Sequence, residues 1–174
     1  MRKLITTLAV MLTMLCASAA PRSYDLTSPD GRLKVVVEAG EGISYSLEHG
    51  GDMLLADSHI GMYTTDGVVF GGVQPVQKVT RRSVNETIST VIYKKSQVEN
   101  VFNEMTLNFK KFSVIFRAYD DGMAYRFVSH LKGQYNIETE IADFSFAEDW
   151  NVWVPYVCQH TETLESQYYN SFDN

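Results

Sequence analysis

Apolar and polar side chains alternate most regularly between Lys111 and Val128. Before the turn, the apolar residues of one side are Phe112, Val114, Phe116 and Ala118; after it they are Met123, Tyr125 and Phe127. Strict alternation is typical of a half-buried strand, because successive side chains point to opposite faces of a sheet. Asp120-Asp121-Gly122 interrupts the run, and Gly122 can adopt positive φ at no steric cost. The pattern predicts a long β-hairpin at the centre of a sheet.

The rest of the chain reads as short strands separated by turns, and no run shows helical periodicity. Ser28-Pro29-Asp30-Gly31 and His49-Gly50-Gly51-Asp52 are typical tight turns. The further predicted strands are Leu33 to Ala39, Ile43 to Glu48, Met53 to Ala56, Ser58 to Tyr63, Val68 to Phe70, Val73 to Arg81, Glu86 to Lys94, Glu104 to Phe109, Tyr135 to Ile141 and Asn151 to Val157. Turn signals at roughly 8–12 residue intervals indicate an all-β fold, a single antiparallel β-sandwich.

Residues 1–19 have the features of a signal peptide. Met1-Arg2-Lys3 is basic, Leu4 to Cys16 is apolar, and Ala17-Ser18-Ala19 suits a signal peptidase. About 13 apolar residues are too few to cross a hydrocarbon core of roughly 30 Å, so we expect no membrane span. Cleavage leaves residues 20–174 as one domain, and the protein is expected to be exported, to the periplasm or the extracellular space.

The charge balance is acidic. The formal net charge of the whole chain is −6, and it becomes more negative when Arg2 and Lys3 leave with the signal peptide. An acidic chain without a basic cluster is not expected to bind nucleic acid. Cys158 is then the only cysteine, so no internal disulfide is expected. It is either a small buried hydrophobe of the last predicted strand or a reactive thiol.

The sequence lacks the common catalytic motifs. It has no phosphate-binding glycine loop, zinc-type Cys/His spacing, nucleophile elbow or EF-hand loop. The four histidines, His49, His59, His130 and His160, have no partner at ligand spacing. Asp120 and Asp121 suit a turn better than a catalytic pair, because glycoside hydrolysis needs two carboxyl groups facing each other across a bond. Arg117 and Arg126 are candidates for structural ion pairs beside that turn.

The last 25 residues hold the best candidate for a binding surface. It combines aromatic and acidic side chains: Trp150, Trp153, Tyr156, Tyr168, Tyr169, Glu162 and Glu165. Aromatic faces can stack on the C–H surface of a sugar, and carboxylates accept hydrogen bonds from hydroxyl groups. The alternative is that the two tryptophans are core and rim residues of the sandwich. The polar tail also shows no sequence pattern of a closing strand, so the domain is expected to be incomplete at its C-terminus.

Several segments together resemble the N-terminal domain of family 97 glycoside hydrolases. The most specific is RAYDDGMAYRF, from Arg117 to Phe127, and Ser28-Pro29-Asp30-Gly31 and Trp153-Val154-Pro155 also match. Leu164-Glu165-Ser166-Gln167-Tyr168 is similar to the family's Tyr-Glu-x-x-Tyr region, with Leu164 in place of the usual aromatic residue. The resemblance implies a β-super-sandwich of the galactose-mutarotase type. In that family it precedes a catalytic (β/α)8 barrel of an exported α-glucosidase or α-galactosidase.

The resemblance also implies which domain carries the catalytic groups and which residues hold the metal ion. The family's catalytic groups lie in the barrel, and its calcium ion is held largely by glutamates. The matching glutamate of the N-terminal domain is expected beyond Asn174, so no catalytic residue, metal ligand or calcium ion is expected in this chain alone. The implied partners are the barrel and an α-linked oligosaccharide, with Tyr156, Glu165 and Tyr169 near the sugar pocket. Two alternatives remain open: a free-standing carbohydrate-binding module, and a mutarotase-like enzyme.

Overall fold

The computed structural model describes residues 21–149, Asn151, and the backbone of two short strands, Tyr156–Val157 and Tyr168–Tyr169. Within this described part, every regular element is a β-strand. The strands are β1 (Arg22–Thr27), β2 (Leu33–Ala39), β3 (Ile43–His49), β4 (Asp52–Thr64), β5 (Val69–Phe70), β6 (Lys78–Ser89), β7 (Gln97–Asn108), β8 (Phe112–Tyr119), β9 (Gly122–Ser129), β10 (Ile137–Ala142), β11 (Tyr156–Val157) and β12 (Tyr168–Tyr169). The all-β prediction is confirmed.

The strands form two principal antiparallel sheets and one small one. The larger sheet has the order β1-β2-β3-β4-β10, with β5 also paired to β4. The smaller sheet has the order β6-β7-β8-β9, and β11 pairs with β12. The first four strands of the larger sheet are joined by short turns, of which His49-Gly50-Gly51-Asp52 has both glycines at positive φ (62° and 99°). Only residues that tolerate positive φ allow this tight hairpin turn.

The predicted hairpin of Lys111 to Val128 is confirmed as β8 and β9. The Cα partners run from Phe112 and Ser129 to Tyr119 and Gly122, which leaves Asp120-Asp121 as a two-residue loop. Gly122 opens β9 and does not have positive φ. Its expected left-handed role was therefore wrong, because the loop ends one residue earlier. The central position was also wrong for β9, which is the last strand of the smaller sheet in the described part.

Two further predictions divided strands that the structure keeps whole. Met53 to Ala56 and Ser58 to Tyr63 are both parts of β4, which passes through Asp57 at φ 47°. The register between β3 and β4 shifts nearby, so a local bulge replaces the expected interruption. Likewise, β6 runs from Lys78 to Ser89, whereas separate strands Val73 to Arg81 and Glu86 to Lys94 were expected. Polar residues in the middle of β6 interrupt the apolar–polar alternation, so the sequence pattern did not indicate one continuous strand.

The core lies between the two sheets and is formed by the alternate residues that the pattern predicted. From β8, Phe112, Val114, Phe116 and Ala118 are fully buried. They face β2 and β3, whose buried residues include Val35, Val37, Ile43 and Tyr45. Aromatic contacts connect the layers, because the Tyr45 ring lies 5.9 Å from the Tyr125 ring and 6.4 Å from the Phe116 ring. This apolar layer is the main stabilising feature of the sandwich.

The larger sheet is extended along β4 by the segment that follows β10. The N–H groups of Asp143 and Ala147 donate to His59 and Leu54 carbonyls, and Ala56 N–H donates to the Ser145 carbonyl. Residues 143–147 therefore run beside β4 past the bulge at Asp57. Within the described part of the chain, no helix is long and apolar enough to cross a membrane.

Candidate functional site

The two terminal strands bring two predicted site residues together. Tyr156 of β11 is the direct cross-strand partner of Tyr169 of β12, and Val157 pairs with Tyr168. Tyr156 and Tyr169 therefore occupy directly opposite positions of one antiparallel ladder, and Tyr168 occupies the next position. Glu165 lies in the connection between β11 and β12, outside the described residues, as do Trp150, Trp153 and Glu162.

A charged cluster occupies the outer face of the smaller sheet. Register places Arg82, Glu104 and Arg117 side by side on β6, β7 and β8. Arg82 donates twice to Glu104, with Nε at 2.6 Å from Oε1 and an Nη at 3.0 Å from Oε2, and Arg117 Nε lies 2.8 Å from Oε2. The Glu104 side chain is only 7% exposed. A buried carboxylate is tolerated here because both oxygens have charged donors.

The guanidinium of Arg117 also contacts an aromatic ring. Its guanidinium carbon lies 4.4 Å from the centre of the Phe102 ring, within the range of a cation–π contact. Phe102 is buried, and its ring lies 5.2 Å from that of Tyr119. The guanidinium is therefore fixed on one side by a ring and on another by Glu104. These two contacts restrict the orientation of the Arg117 guanidinium.

The electrostatics give this cluster a structural role. The hydrogen bonds from Arg82 lower the pKa of Glu104, and those from Arg117 add to the effect, although burial acts in the opposite direction. The same contacts raise the pKa of both arginines. Glu104 is consequently an ionised acceptor at neutral pH. It is unsuited to general-acid catalysis, which needs a carboxyl group whose pKa is raised.

A shallow groove of about 330 Å³ lies between β1 and the β6–β7 pair. Its lining residues are Asp25, Leu26, Thr27, Arg81, Arg82, Ser83, Asn103 and Glu104. An Arg81 Nη donates to the Asp25 carbonyl at 2.8 Å, and Asn103 Nδ2 donates to the Thr27 carbonyl at 2.9 Å. These two side chains connect the smaller sheet to the edge of the larger one. The groove therefore lies at a contact between the two sheets of the sandwich.

The remaining candidates have local roles. Asp120 lies in the hairpin loop and accepts a hydrogen bond from the Asp30 N–H, as expected for a turn carboxylate. His130 Nε2 lies 3.0 Å from Ser113 Oγ, and His59 Nε2 lies 3.6 Å from an exposed Asp57 oxygen. His160 and Cys158 lie outside the described residues. Within those residues, no group of three or more His, Cys, Asp or Glu side chains could hold a metal ion.

Sequence reasoning missed Glu104 as the centre of a charged cluster. We had expected Arg117 to pair with a carboxylate beside the hairpin turn, whereas its partner lies on the preceding strand. The register that pairs the two residues follows from the turn between β7 and β8. The N–H of Phe109 donates to the Phe112 carbonyl, which makes residues 110 and 111 a tight turn. Counting back from that turn pairs Glu104 with Arg117.

Comparison with known proteins decides the family. The family model described as "Glycosyl-hydrolase 97 N-terminal" matches residues 26–172. The chain belongs to this family. The match begins within β1 and covers β2 to β12, including the terminal strands that carry Tyr156 and Tyr169. The resemblance stated from the sequence is confirmed, and the match includes the segment from Leu164 to Tyr168.

Two curated proteins are similar over almost the whole chain. A "Retaining alpha-galactosidase" of Bacteroides thetaiotaomicron is 38% identical over 95% of this chain, and the match covers 26% of that protein. A "Probable retaining alpha-galactosidase" of Streptomyces bingchenggensis is 26% identical over 94% of this chain and 28% of its own length. The chain thus spans about a quarter of the length of the curated relatives it matches.

Solved structures share the fold. A Glycoside Hydrolase Family 97 enzyme from Pseudoalteromonas sp. strain K8, in complex with panose, superposes with a TM-score of 0.63 at 24% identity. The match covers 71% of this chain and 20% of that one. A beta-arabinopyranosidase gives a TM-score of 0.64 at 24% identity, over 72% of this chain and 21% of its own. Likeness at this level of identity supports the sandwich architecture alone.

Proposed function

We propose that this chain is the N-terminal domain of an exported α-glycosidase, where it braces the catalytic barrel and forms one wall of the sugar pocket. The observation that carries the proposal is the 38% identity, over 95% of the chain, to a retaining alpha-galactosidase about four times its length. The sequence alone left glucosides and galactosides open. Because both curated relatives are named as retaining alpha-galactosidases, we favour an α-galactoside.

The pocket wall is assigned to the tyrosine ladder and the segment inside it. Tyr156 and Tyr169 are cross-strand partners, so the ladder of β11 and β12 brings these two positions of the chain together. Phenol rings offer a flat apolar face for sugar C–H groups and a hydroxyl for hydrogen bonding. Glu165, in the intervening connection, would accept hydrogen bonds from the sugar hydroxyl groups. Together they can orient a sugar without breaking it.

Bond cleavage is assigned to the barrel. Hydrolysis needs a carboxylic acid and a second carboxylate about 5–9.5 Å apart across the glycosidic bond. In the described part of the chain, Glu104 is the buried carboxylate, and two arginines keep it ionised. Asp120 serves a turn. These groups do not supply the acid that the reaction requires, so the chain alone is proposed to be inactive.

Calcium and export complete the proposal. The side chains described here do not fit a calcium site, because they provide no cluster of three or more potential ligands. As the resemblance implies, we assign the family's calcium ion to the parent enzyme and expect none bound by this chain alone. Export rests on the signal-peptide pattern of residues 1–19. N-terminal sequencing of the secreted protein should begin near Ala20 or Pro21, and an intact Met1 in the exported fraction would contradict export by cleavage.

The division of labour is tested by two assays. The purified chain, with calcium, should give no turnover of aryl α-galactosides or α-glucosides. A chimera in which the chain replaces the matched region of the Bacteroides relative should hydrolyse the α-galactoside. Turnover by the chain alone, or a folded chimera with no activity, would contradict the proposal. Calorimetric binding of a galactoside by the chain alone would favour the carbohydrate-binding module instead.

The pocket wall is tested in the same chimera. Tyr156→Ala and Tyr169→Ala should each raise KM by about tenfold, the effect of losing roughly 1.4 kcal/mol of binding. Tyr168→Ala is the matched control, because this residue adjoins Tyr169 and its cross-strand partner is Val157, which is not assigned to the pocket wall. Equal effects from Tyr168 and Tyr169 would remove the pocket assignment and leave only a structural role for the ladder.

A further inference from the structure

The outer half of the β6–β7 hairpin projects beyond the sandwich. β8 pairs with β7 only from Asn103 to Asn108, whereas β6 and β7 continue together to Ser89 and Gln97. Residues 85–101 thus form a two-stranded arm. An isolated two-stranded ribbon is marginally stable in water and gains stability by packing on another surface. The arm is therefore a candidate for packing against a surface outside its own sheet.

The tip of this arm is apolar, exposed and basic. Val91 and Ile92 are 98% and 97% exposed, and Tyr93 is 59% exposed. Lys94 and Lys95 follow directly, and residues 90–96 contain no acidic side chain. Consecutive large apolar side chains in water are costly, and such groups commonly mark an interaction surface. The tip therefore favours a surface that is both apolar and acidic.

A surface that is both apolar and acidic lies at the edge of the larger sheet. The edge strip, residues 137–149, comprises β10 and the segment that continues along β4. It exposes Ile137, Phe144 and Phe146, at 45%, 60% and 54%. Five carboxylates, from Glu138, Glu140, Asp143, Glu148 and Asp149, lie in the strip, and residues 133–151 contain no lysine or arginine. Apolar content and charge both complement the arm tip.

We propose that the arm tip of one copy binds the edge strip of a second copy of this chain. Within one copy the tip is almost fully exposed, so it does not contact its own edge strip. Because every copy has both surfaces, two copies can make the contact twice in a closed symmetric dimer. A stable interface buries about 1,000 Å² or more in total, so each of the two contacts would need to bury about half of that. This inference is independent of the proposed glycosidase function.

The first test removes the apolar contact. Sedimentation velocity over a wide concentration range should show a dimer whose dissociation constant rises more than about 100-fold in the double variant Val91→Asp/Ile92→Asp. Both side chains are exposed, so the fold should be unaffected, which circular dichroism would verify. Val73→Asp, at a 78% exposed residue outside the arm, is the control and should leave the dimer intact.

The second test exchanges charges. Lys94→Glu/Lys95→Glu and Glu138→Lys/Glu140→Lys should each weaken the dimer at least about tenfold, and the combination of all four substitutions should restore it. High salt should weaken the parent dimer, because it screens exposed opposite charges. A monomer at all concentrations would overturn the proposal. So would a dimer that is indifferent to the arm variants, or a charge exchange that fails to restore association.

Discussion

The backbone N–H of Asp30 donates a hydrogen bond to Oδ1 of Asp120 at 2.9 Å. The two residues are 90 positions apart and lie in different turns, one before β2 and the other between β8 and β9. Asp30 is itself fixed, because its carboxylate accepts from Ser28 Oγ and from the Arg32 backbone and guanidinium. The first turn of the larger sheet is thus locked to the main hairpin of the smaller one.

We predict that Asp120→Ala weakens this connection. The Asp30 N–H would lose its acceptor, although water can replace it at this exposed position, so the loss in stability should be smaller than for Glu104→Gln. Asp120→Asn keeps an acceptor oxygen and should be closer to the parent protein. Chemical denaturation measures the effect. Asp121→Ala, in the same loop, is the control, and an equal loss there would show that turn propensity, rather than the contact with Asp30, is responsible.

We predict that Glu104→Gln lowers the free energy of unfolding by about 1–3 kcal/mol. The amide can still accept hydrogen bonds, but it removes the charge that compensates Arg82 and Arg117. The cost is moderate because the Arg82 side chain is 57% exposed and is partly solvated. Urea denaturation provides the measurement. Glu99→Gln, at an exposed residue of the same strand, should be nearly neutral. A neutral Glu104→Gln variant would show that the cluster contributes no net stability.

Acid should destabilise the chain partly through Glu104 and Asp30. The pKa of each carboxyl group is lowered in the folded protein, chiefly by hydrogen bonds from Arg82 and from Ser28, respectively. The unfolded state therefore binds protons first, beginning near the ordinary values of about 4. Their stabilisation is fully present at neutral pH and is lost as pH falls through the folded pKa values. As the pH falls below about 5, the free energy of unfolding of Glu104→Gln should decrease less than that of the parent protein. An equal decrease in both proteins would contradict this assignment.

Gly71 is the position at which a methyl group should be least tolerated. It has φ of 97°, and an added Cβ would lie 2.7 Å from the Ile60 carbonyl oxygen. Gly133 has φ of 83° with nothing within 4 Å of such a Cβ. Gly133→Ala should cost about 1–2 kcal/mol from backbone strain, and Gly71→Ala should cost more because the clash with backbone adds to it. Thermal unfolding compares the two; equal losses would mean that the β4–β5 backbone can move aside.

The sequence predicted the parts of the fold that depend on local alternation and turns. β2 has the predicted bounds of Leu33 to Ala39, and the inward residues of β8 are the expected ones, because a period of two places every second side chain in the core. Boundaries were less accurate in β4 and β6. A bulge at Asp57 and exposed polar residues resemble strand ends when neighbouring strands are not known.

The sequence by itself determined an all-β chain, its main hairpin and its family, since these follow from alternation, turn residues and recognisable segments. Only the tertiary structure decided which strands are neighbours. Pairing of β6, β7 and β8 brings Arg82, Glu104 and Arg117 together, and the ladder of β11 and β12 pairs Tyr156 with Tyr169. Such contacts depend on register between strands, which is set by packing of the whole sheet and is not encoded in any single segment.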